Sequence, residues 1–164
     1  TETVSHIALR ELNTAYSGYK ALGNITFLQD DRGCLCIHAP HLSNTFFVTN
    51  DIVRLSGKTS FEWLGRFDNV INSGGVKLFP EEIEKRISEL IPDKRFYVTG
   101  VSDERLGEKA VLMVEDQNWT QEKIVSFMRE VRSILSPYQI PKEIRFVSNF
   151  RETYSGKIVR DNQE

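Results

Sequence analysis

Lys157 lies in the segment TYSGKIVR at residues 153–160 and is the side chain near the end of the chain best suited to chemistry. A lysine ammonium is a compact cation on a flexible stem, which suits it to bridging a carboxylate and a phosphate as charge shifts between them. The segment is not a P-loop, because Ile158 follows the lysine where that motif has Ser or Thr, and no glycine precedes it at the right distance. Taken alone, residues 155–157 predict only a solvated lysine in a turn.

Asp51 follows the apolar stretch TFFVT, and its carboxylate offers two acceptor oxygens, which suits a ribose diol. The alternative is a turn aspartate that caps the following strand. Arg66 and Asp68 lie where the composition changes from strand-rich to helix-containing segments. These two residues could equally form a surface ion pair, which would contribute little to stability.

Ser73 is followed by Gly74 and Gly75, two residues that lack a Cβ atom. Their backbone can therefore approach a ligand closely. The same pair is typical of a type I′ or II′ hairpin turn, and the two interpretations are compatible.

Cys34, Cys36 and His38 lie in CLCIHAP and would share one face of a strand, because strand side chains repeat every two residues. As a metal site they offer three ligands, no obvious fourth and none of the usual structural-zinc spacings. We expect a core strand with two small buried thiols instead. Two cysteines also fit a reducing cytoplasm better than secretion.

Residues 24–65 are predicted to form short strands joined by tight turns. NITFLQ and CLCIHA flank the turn DDRG, while IVRL and FEWL flank SGKTS, so each pair is typical of a hairpin. TFFVT is a further apolar, β-rich stretch. The segments predict a small antiparallel sheet or barrel, which the opening TETVSHIALREL joins.

The pattern changes after GRFDNVINSGG. FPEEIEKRISELI predicts a helix, with Pro80 in its first turn and Ile83, Ile87 and Leu90 at helical spacing. RFYVTGV, KAVLMVE and EIRFVS predict strands, and Thr120 is expected to cap a helix over QEKIVSFMREVRSIL. The apolar stripe of that helix, which we expect to face the core, consists of Ile124, Phe127, Met128, Val131 and Leu135.

These elements predict an α+β protein with two parts: a small antiparallel β domain over residues 1–65 and a compact α+β domain, with a short sheet and flanking helices, over residues 66–164. The formal net charge of −2 gives no electrostatic case for a nucleic-acid partner or an anionic membrane. No apolar run approaches the roughly 20 residues needed to cross a bilayer. The first residues also lack the basic start and apolar block of a signal peptide.

Six segments occur in a fixed order: TET at 1–3, TND at 49–51, GRFDNVINSGGVKLFPEEIE at 65–84, GVSDERLGE at 100–108, YQIPKEIRFV at 138–147 and TYSGKIVR at 153–160. In this order they resemble the acyl-adenylate-forming superfamily of acyl- and aryl-CoA ligases, adenylation domains and luciferases. The resemblance covers nearly the whole chain. It implies an AMP-forming acid–CoA ligase that uses ATP, CoA, Mg²⁺ and a small-molecule carboxylic acid.

The resemblance implies roles for four of the candidate residues. Asp51 would hold the ribose hydroxyls of ATP, and Arg66 would lie near the ribose and phosphates. Asp68 would be the hinge about which the C-terminal domain swings between adenylate formation and thioester formation. Lys157 would be the catalytic lysine of adenylation.

The same resemblance assigns the glycine pair and the first residues. Ser73, Gly74 and Gly75 would line the pantetheine tunnel of CoA. Thr1 would touch the α-phosphate, and Glu2 would help to hold Mg²⁺, for which a carboxylate and phosphate oxygens are ordinary ligands.

The chain departs from the family pattern in three places. Asn50 stands where the family usually has glycine, and we expect asparagine to tolerate a left-handed turn there. Arg151 and Glu152 precede Thr153, where the family often reads Pro-Arg. The Ser/Thr/Gly-rich loop that grips the ATP phosphates lies upstream in the family. We therefore expect a fragment that needs the N-terminal remainder of the ligase and is inactive alone.

TETVSHIALR and the short linker after EEIEKRISELIP are similar to the 2-succinylbenzoate–CoA ligases of menaquinone synthesis. Ser5 and His6 would then lie near the acyl site, where His6 could meet a carboxylate of a diacid; alternatively, His6 lies on a helix surface. Ligation of another aryl or medium-chain acid remains open, as does a non-catalytic α+β binding module. A Ser/Thr/Gly-rich loop encoded upstream of Thr1 would favour the enzyme.

Overall fold

The computed structural model describes residues 6–12 and 18–160. The chain forms two compact units, Thr1–Asp68 and Asn69–Glu164. The division falls within a short 3-10 helix, Phe67–Asn69, whereas the sequence suggested a boundary after residue 65. Strand pairing in the first unit continues as far as Arg66, which pairs with Asp51.

The described residues of the first unit form an antiparallel sheet of six strands. The strands are β1 (Ala8–Leu9), β2 (Tyr19–Ala21), β3 (Thr26–Gln29), β4 (Cys34–His38), β5 (Phe47–Leu55) and β6 (Ser60–Arg66). Their order in the sheet is β1-β2-β6-β5-β4-β3. Both predicted hairpins, β3–β4 and β5–β6, are confirmed. The carboxylate of Asp30 stabilises the first turn by accepting hydrogen bonds from the Arg32 and Cys34 amides.

The predicted core strand is confirmed as β4. Cys34 and Cys36 are buried, and burial raises the pKa of both thiols, which favours their protonated form. His38 is only partly buried, and its ring packs 5.1 Å from that of Phe46. The alternate side chains of β4, Leu35 and Ile37, face the apolar cluster of this unit instead.

The expectation of two separate strands around Asp51 is wrong. The last three residues of TFFVT and all of IVRL belong to one nine-residue strand, β5, so Asp51 lies inside a strand and not at the end of one. The strand is continuous because β4 and β6 pair with it on either side. Asn50 also lies within β5, so the left-handed turn expected at this position is not formed.

The described part of the second unit contains a mixed sheet and two α-helices. Its elements are β7 (Ile71–Ser73), β8 (Val76–Leu78), α1 (Pro80–Ile87), β9 (Phe96–Asp103), β10 (Gly107–Glu115), α2 (Gln121–Ile134) and β11 (Glu143–Val147). β10 is central: it pairs antiparallel with β9 and β7 and parallel with β11. β8 pairs with β7. The predicted α+β class is confirmed.

The helices form where capping and periodicity predict them. Pro80 lies in the first turn of α1, and a short 3-10 helix, Ser88–Leu90, follows the helix. Thr120 caps α2 by accepting a hydrogen bond from the Lys123 amide at 3.4 Å. Within the predicted stripe of α2, Phe127 and Val131 are buried. Neither helix of the described residues is long and apolar enough to span a membrane.

β10 is buried on both faces of the sheet. One face packs Leu112 and Val114 into the cluster that contains the apolar residues of α1 and α2. The other face packs Val111 and Met113 against Phe150. The chain that leaves β11 therefore returns across this second face, where it leads to Lys157.

Candidate functional site

A cavity of about 1010 Å³ opens on the first unit. Apolar residues of β4 and β6 form much of its wall, while polar residues of β5 lie along it. The lining comprises His6, Ile7, Ala8, Tyr19, Leu35, Ile37, Val48, Thr49, Asn50, Asp51, Phe61, Trp63 and Arg66. An apolar wall with a few converging polar groups is typical of a small-molecule site.

Thr49, Asn50 and Asp51 line this cavity although they are consecutive. In a regular strand, successive side chains point to opposite faces. Here the pairing of β5 with β4 jumps from Val48 to Ile52, and the pairing with β6 also shifts at Ile52. Such irregularities redirect side chains, and they explain why three neighbouring residues meet one cavity.

The Asp51 carboxylate is held by two donors from β6. Trp63 donates its indole N–H to Oδ1 at 3.2 Å, and Arg66 Nη1 lies 3.3 Å from the same oxygen. The Asp51 amide donates to Thr49 Oγ1 at 3.1 Å. No hydrogen bond from residues 6–12 or 18–160 reaches Oδ2. The arrangement fixes the carboxylate by one oxygen and leaves the other able to accept from a ligand.

Asn50 links the cavity to the predicted hinge residue. Its side-chain oxygen accepts from Arg32 Nη1 at 3.0 Å, and its nitrogen donates to Asp68 Oδ2 at 3.4 Å. The Arg32 guanidinium also lies 5.1 Å from the ring centroid of Phe67. Asp68 and Arg66 therefore make separate contacts, and the surface ion pair considered between them is not formed.

Trp63 and Arg32 were not identifiable from the sequence. In the sequence Trp63 is an ordinary residue of the hairpin strand FEWL. Its one distinguishing feature is that it follows Phe61 by two positions, which places both side chains on one face of the strand. Arg32 lies in a turn that carries no motif. His6 lines the cavity just before β1 and not on a helix. Thr1, Glu2 and Ser5 lie outside the described residues.

Gly74 and Gly75 connect β7, which ends at Ser73, to β8. Gly74 has φ 59° and Gly75 has φ 82°, as a type I′ hairpin turn requires. The Gly74 amide donates to the Leu106 carbonyl at 2.8 Å. The hairpin interpretation of the glycine pair is therefore confirmed, and the turn presents backbone without side chains at the end of the hairpin.

Lys157 lies in a tight loop of the second unit. Its carbonyl accepts from the Thr153 amide at 2.8 Å, and its own amide donates to Thr153 Oγ1 at 3.1 Å. Gly156 adopts φ 75°, which lets the loop close. The Lys157 side chain is exposed, and no carboxylate among the described residues forms an ion pair with it. A cation held by its backbone but without a partner is available to a ligand.

Arg160 anchors the chain after this loop. Its guanidinium donates to both oxygens of Glu84 on α1, at 2.7 Å and 2.8 Å. The Val98 amide of β9 also donates to Glu84, at 2.7 Å. Burial raises the pKa of Glu84, and the hydrogen bonds from Arg160 act in the opposite direction without cancelling that effect.

Comparison with known proteins identifies relatives of both units. Residues 79–157 match the AMP-binding enzyme C-terminal domain. The chain is 30% identical over 112 residues to 3-oxocholest-4-en-26-oate–CoA ligase from Rhodococcus rhodochrous, covering 68% of this chain and 20% of that protein. It is 33% identical over 116 residues to 2-succinylbenzoate–CoA ligase from Lactococcus lactis, covering 71% of this chain and 25% of that protein.

One solved structure covers almost the whole chain. It is an acyl-CoA synthetase (AMP-forming)/AMP-acid ligase II-like protein from Dyadobacter fermentans, with 37% identity and a TM-score of 0.55. The match covers 97% of this chain and 47% of that one. The chain thus spans about a fifth to a quarter of the length of the two curated relatives.

Proposed function

We propose that this chain, which is similar to AMP-forming acyl-CoA ligases and matches the AMP-binding enzyme C-terminal domain over residues 79–157, is part of an ATP-dependent acid–CoA ligase. In that reaction the acid carboxylate attacks the α-phosphate of ATP and pyrophosphate leaves. The acyl group then passes from the adenylate to the thiol of CoA, and AMP leaves. The unit Thr1–Asp68 is the end of the large adenylating domain, and the unit Asn69–Glu164 is the mobile C-terminal domain.

The main support for the proposal is the hydrogen bonding of the Asp51 carboxylate, which within the described residues uses only one of its two oxygens. Trp63 and Arg66 both donate to Oδ1 of Asp51, a residue that lines the cavity, so Oδ2 is the oxygen left to accept hydrogen bonds from a ligand there. A ribose offers two neighbouring hydroxyl donors, and hydrogen bonds to a charged acceptor are the stronger kind. Arg66 is about half exposed, and its cationic side chain would attract the phosphates of an ATP whose ribose is bound at Asp51.

Lys157 is the catalytic residue of the adenylation step. Its ammonium group stabilises the negative charge that moves from the acid carboxylate to the pyrophosphate leaving group. The backbone hydrogen bonds of the loop fix the start of the side chain, and its flexible stem supplies the reach.

The turn of Ser73, Gly74 and Gly75 lines the pantetheine path of CoA in the thioester-forming step, where its lack of side chains permits close approach. Asp68 is the hinge residue between the two steps. It lies in the short 3-10 helix at the division of the units, which is the kind of position that absorbs a large backbone change.

Mg²⁺ is expected to bind through Glu2, with Thr1 at the α-phosphate. A single carboxylate together with phosphate oxygens suits the hard oxygen coordination of this ion. No group of three or more metal-ligating side chains occurs among residues 6–12 and 18–160. When bound, the ion neutralises phosphate charge and helps pyrophosphate to leave.

The proposed acid is 2-succinylbenzoate, with Ser5 and His6 near the acyl group. The identity to the Lactococcus lactis 2-succinylbenzoate–CoA ligase supports this choice. The identity to 3-oxocholest-4-en-26-oate–CoA ligase is similar, so other acids are tested as well. A location in the cytoplasm and a place in menaquinone synthesis belong to the same proposal. Another aryl or medium-chain acid is the alternative substrate.

The test uses the protein encoded by the complete open reading frame. Pyrophosphate exchange is measured with 2-succinylbenzoate and a panel of aryl and medium-chain acids. Lys157→Ala is expected to lower exchange by about 10²–10³-fold, the usual effect of removing a preorganised transition-state charge. Lys142→Ala, which removes another exposed lysine of the same unit, serves as the control.

Asp51→Asn tests the nucleotide site separately. The amide keeps one oxygen for Trp63 and Arg66 but replaces the other acceptor by a donor. We expect the KM for ATP to rise by about 10-fold or more, since a hydrogen bond to a charged group contributes about 1.5–3 kcal/mol. Normal exchange in both Lys157→Ala and Asp51→Asn would contradict the roles proposed for these residues. No exchange by the unsubstituted protein with any acid of the panel would contradict the ligase proposal, and no exchange with 2-succinylbenzoate alone would contradict the proposed substrate.

A further inference from the structure

The segment that leads into the Lys157 loop is tied to the sheet by one arginine. Arg95 lies just before β9, and its Nη1 donates to the carboxylate of Glu152. The same guanidinium forms a bidentate ion pair with Glu115 at the end of β10, with Nε 2.5 Å from Oε2. Bidentate pairs fix the orientation of both groups.

Glu115 in turn holds the backbone before the loop. Its Oε1 accepts a hydrogen bond from the Phe150 amide at 2.7 Å. The Phe150 ring is buried and packs 4.9 Å from Tyr97, while the Arg95 guanidinium lies 6.0 Å from the Phe150 centroid. We call Arg95, Glu115, Phe150 and Glu152 the Arg95 clamp.

The clamp is linked to Lys157 through the backbone of the loop. Glu152 forms an antiparallel bridge with Ile158, the residue that follows the lysine. Thr153, which follows Glu152, makes the two hydrogen bonds that fix the Lys157 backbone. A shift of Glu152 therefore moves both strands of the loop that carries the lysine.

The Arg95–Glu152 contact of the clamp positions the loop more than it stabilises the fold. The side chains of Arg95 and Glu152 are 46% and 39% exposed, and exposed ion pairs contribute little to global stability. The hydrogen bonds from Arg95 also lower the pKa of Glu115, so this carboxylate stays ionised at pH values where an ordinary glutamate begins to bind protons. The contacts thus persist over the neutral pH range and act locally on the loop.

We propose that Arg95 is a positioning residue for the adenylation step, acting through Glu152 on the loop that carries Lys157. The inference rests on the proposed ligase function. Glu152 stands at one of the positions where this chain departs from the Pro-Arg-Thr pattern. Arg95 itself does not touch the reacting atoms.

Arg95→Gln and Glu152→Gln, singly and together, test the proposal in the complete ligase. The rate of adenylate formation should fall by about 10-fold or more in each single variant, because small misplacements of a catalytic group are costly. The KM for ATP should change little. Thioester formation from supplied acyl-adenylate and CoA should keep its rate, since Lys157 acts in the first step alone. The double variant should be no slower than the slower single variant.

Lys94→Gln is the matched control. Lys94 precedes Arg95 and forms an ion pair with Asp116. The Asp116 carboxylate accepts its other side-chain hydrogen bond from the Trp119 indole and not from the Lys157 loop. Adenylation at the wild-type rate in Arg95→Gln, or an equal loss in both half-reactions, would overturn the positioning role. Lys157→Ala is assayed in parallel. If the unsubstituted protein forms no adenylate, the proposed function fails; if Lys157→Ala adenylates normally, the catalytic role of Lys157 fails; if Lys157→Ala is inactive while Arg95→Gln is not, only the role of Arg95 fails.

Discussion

Replacing Glu84 by alanine is expected to destabilise the second unit by about 2–3 kcal/mol. The substitution removes three acceptor contacts, two to Arg160 and one to the Val98 amide. Removing one partner of a buried ion pair typically costs about 3–5 kcal/mol. The Arg160 side chain is 25% exposed and can recover part of its hydration, so the loss expected here is at or below the lower end of that typical range.

The contribution of Glu84 to stability depends on pH. Burial raises the pKa of Glu84, so the native state binds this proton more tightly than the unfolded chain does. The contribution of the Glu84 carboxyl is therefore fully present below its ordinary pKa and declines as the pH rises through its raised native pKa. The stability of the wild-type chain relative to Glu84→Gln should accordingly be greater at acidic than at neutral pH.

Tryptophan fluorescence can isolate the unit concerned. Trp63 lies in the first unit and Trp119 in the second, so urea unfolding of the Trp63→Phe chain reports on the second unit. Glu82→Ala is the matched control, because Glu82 lies on α1 but forms no ion pair with the described residues. A loss from Glu84→Ala within about 0.5 kcal/mol, as at ordinary surface positions, would refute the reasoning.

Two further stability predictions follow from turn geometry and charge. Gly74→Ala places a Cβ atom 3.3 Å from Leu106 Cδ2 at φ 59°, so it should destabilise the second unit by about 1–2 kcal/mol in the same urea assay; an unchanged midpoint would contradict it. Hydrogen bonds from Arg145 and then Lys109 lower the pKa of Glu143 to about 2. Its stabilisation is therefore lost as the pH falls below its usual pKa of about 4.5 towards about 2. Glu143→Gln should flatten this part of a thermal-melting profile, and an unaltered profile would contradict the assignment.

Local sequence patterns were sufficient for most elements of the fold. The hairpin of β3 and β4 was predictable because a turn rich in Asp and Gly separates two β-rich runs. The second helix was predictable because Thr120 caps a stripe of apolar residues at helical spacing. In the same way, the ordered motifs identified Asp51 and Lys157 as candidates, although neither is informative alone.

The same local patterns failed at β5, where they suggested two short strands separated at Asp51. Pairing with strands on both sides makes β5 continuous, and the register shifts at Ile52 turn Asp51 into the cavity. A bulge depends on partners that lie far along the chain, so the period of a single strand cannot predict it. The donors of Asp51, Trp63 and Arg66, come from the neighbouring strand for the same reason.

The sequence by itself determined the order of the elements and the apolar faces of the helices, and it indicated Asp51 and Lys157 as candidates for nucleotide chemistry. The tertiary structure decided how those residues are held. Arg95 and Glu152 are 57 positions apart, and Glu84 and Arg160 are 76 apart. Such contacts form only when folding brings distant segments together, because periodicity and capping report on neighbours within a few residues. The loop of Lys157 is therefore predictable as a motif, while its anchoring at both ends is a property of the folded unit.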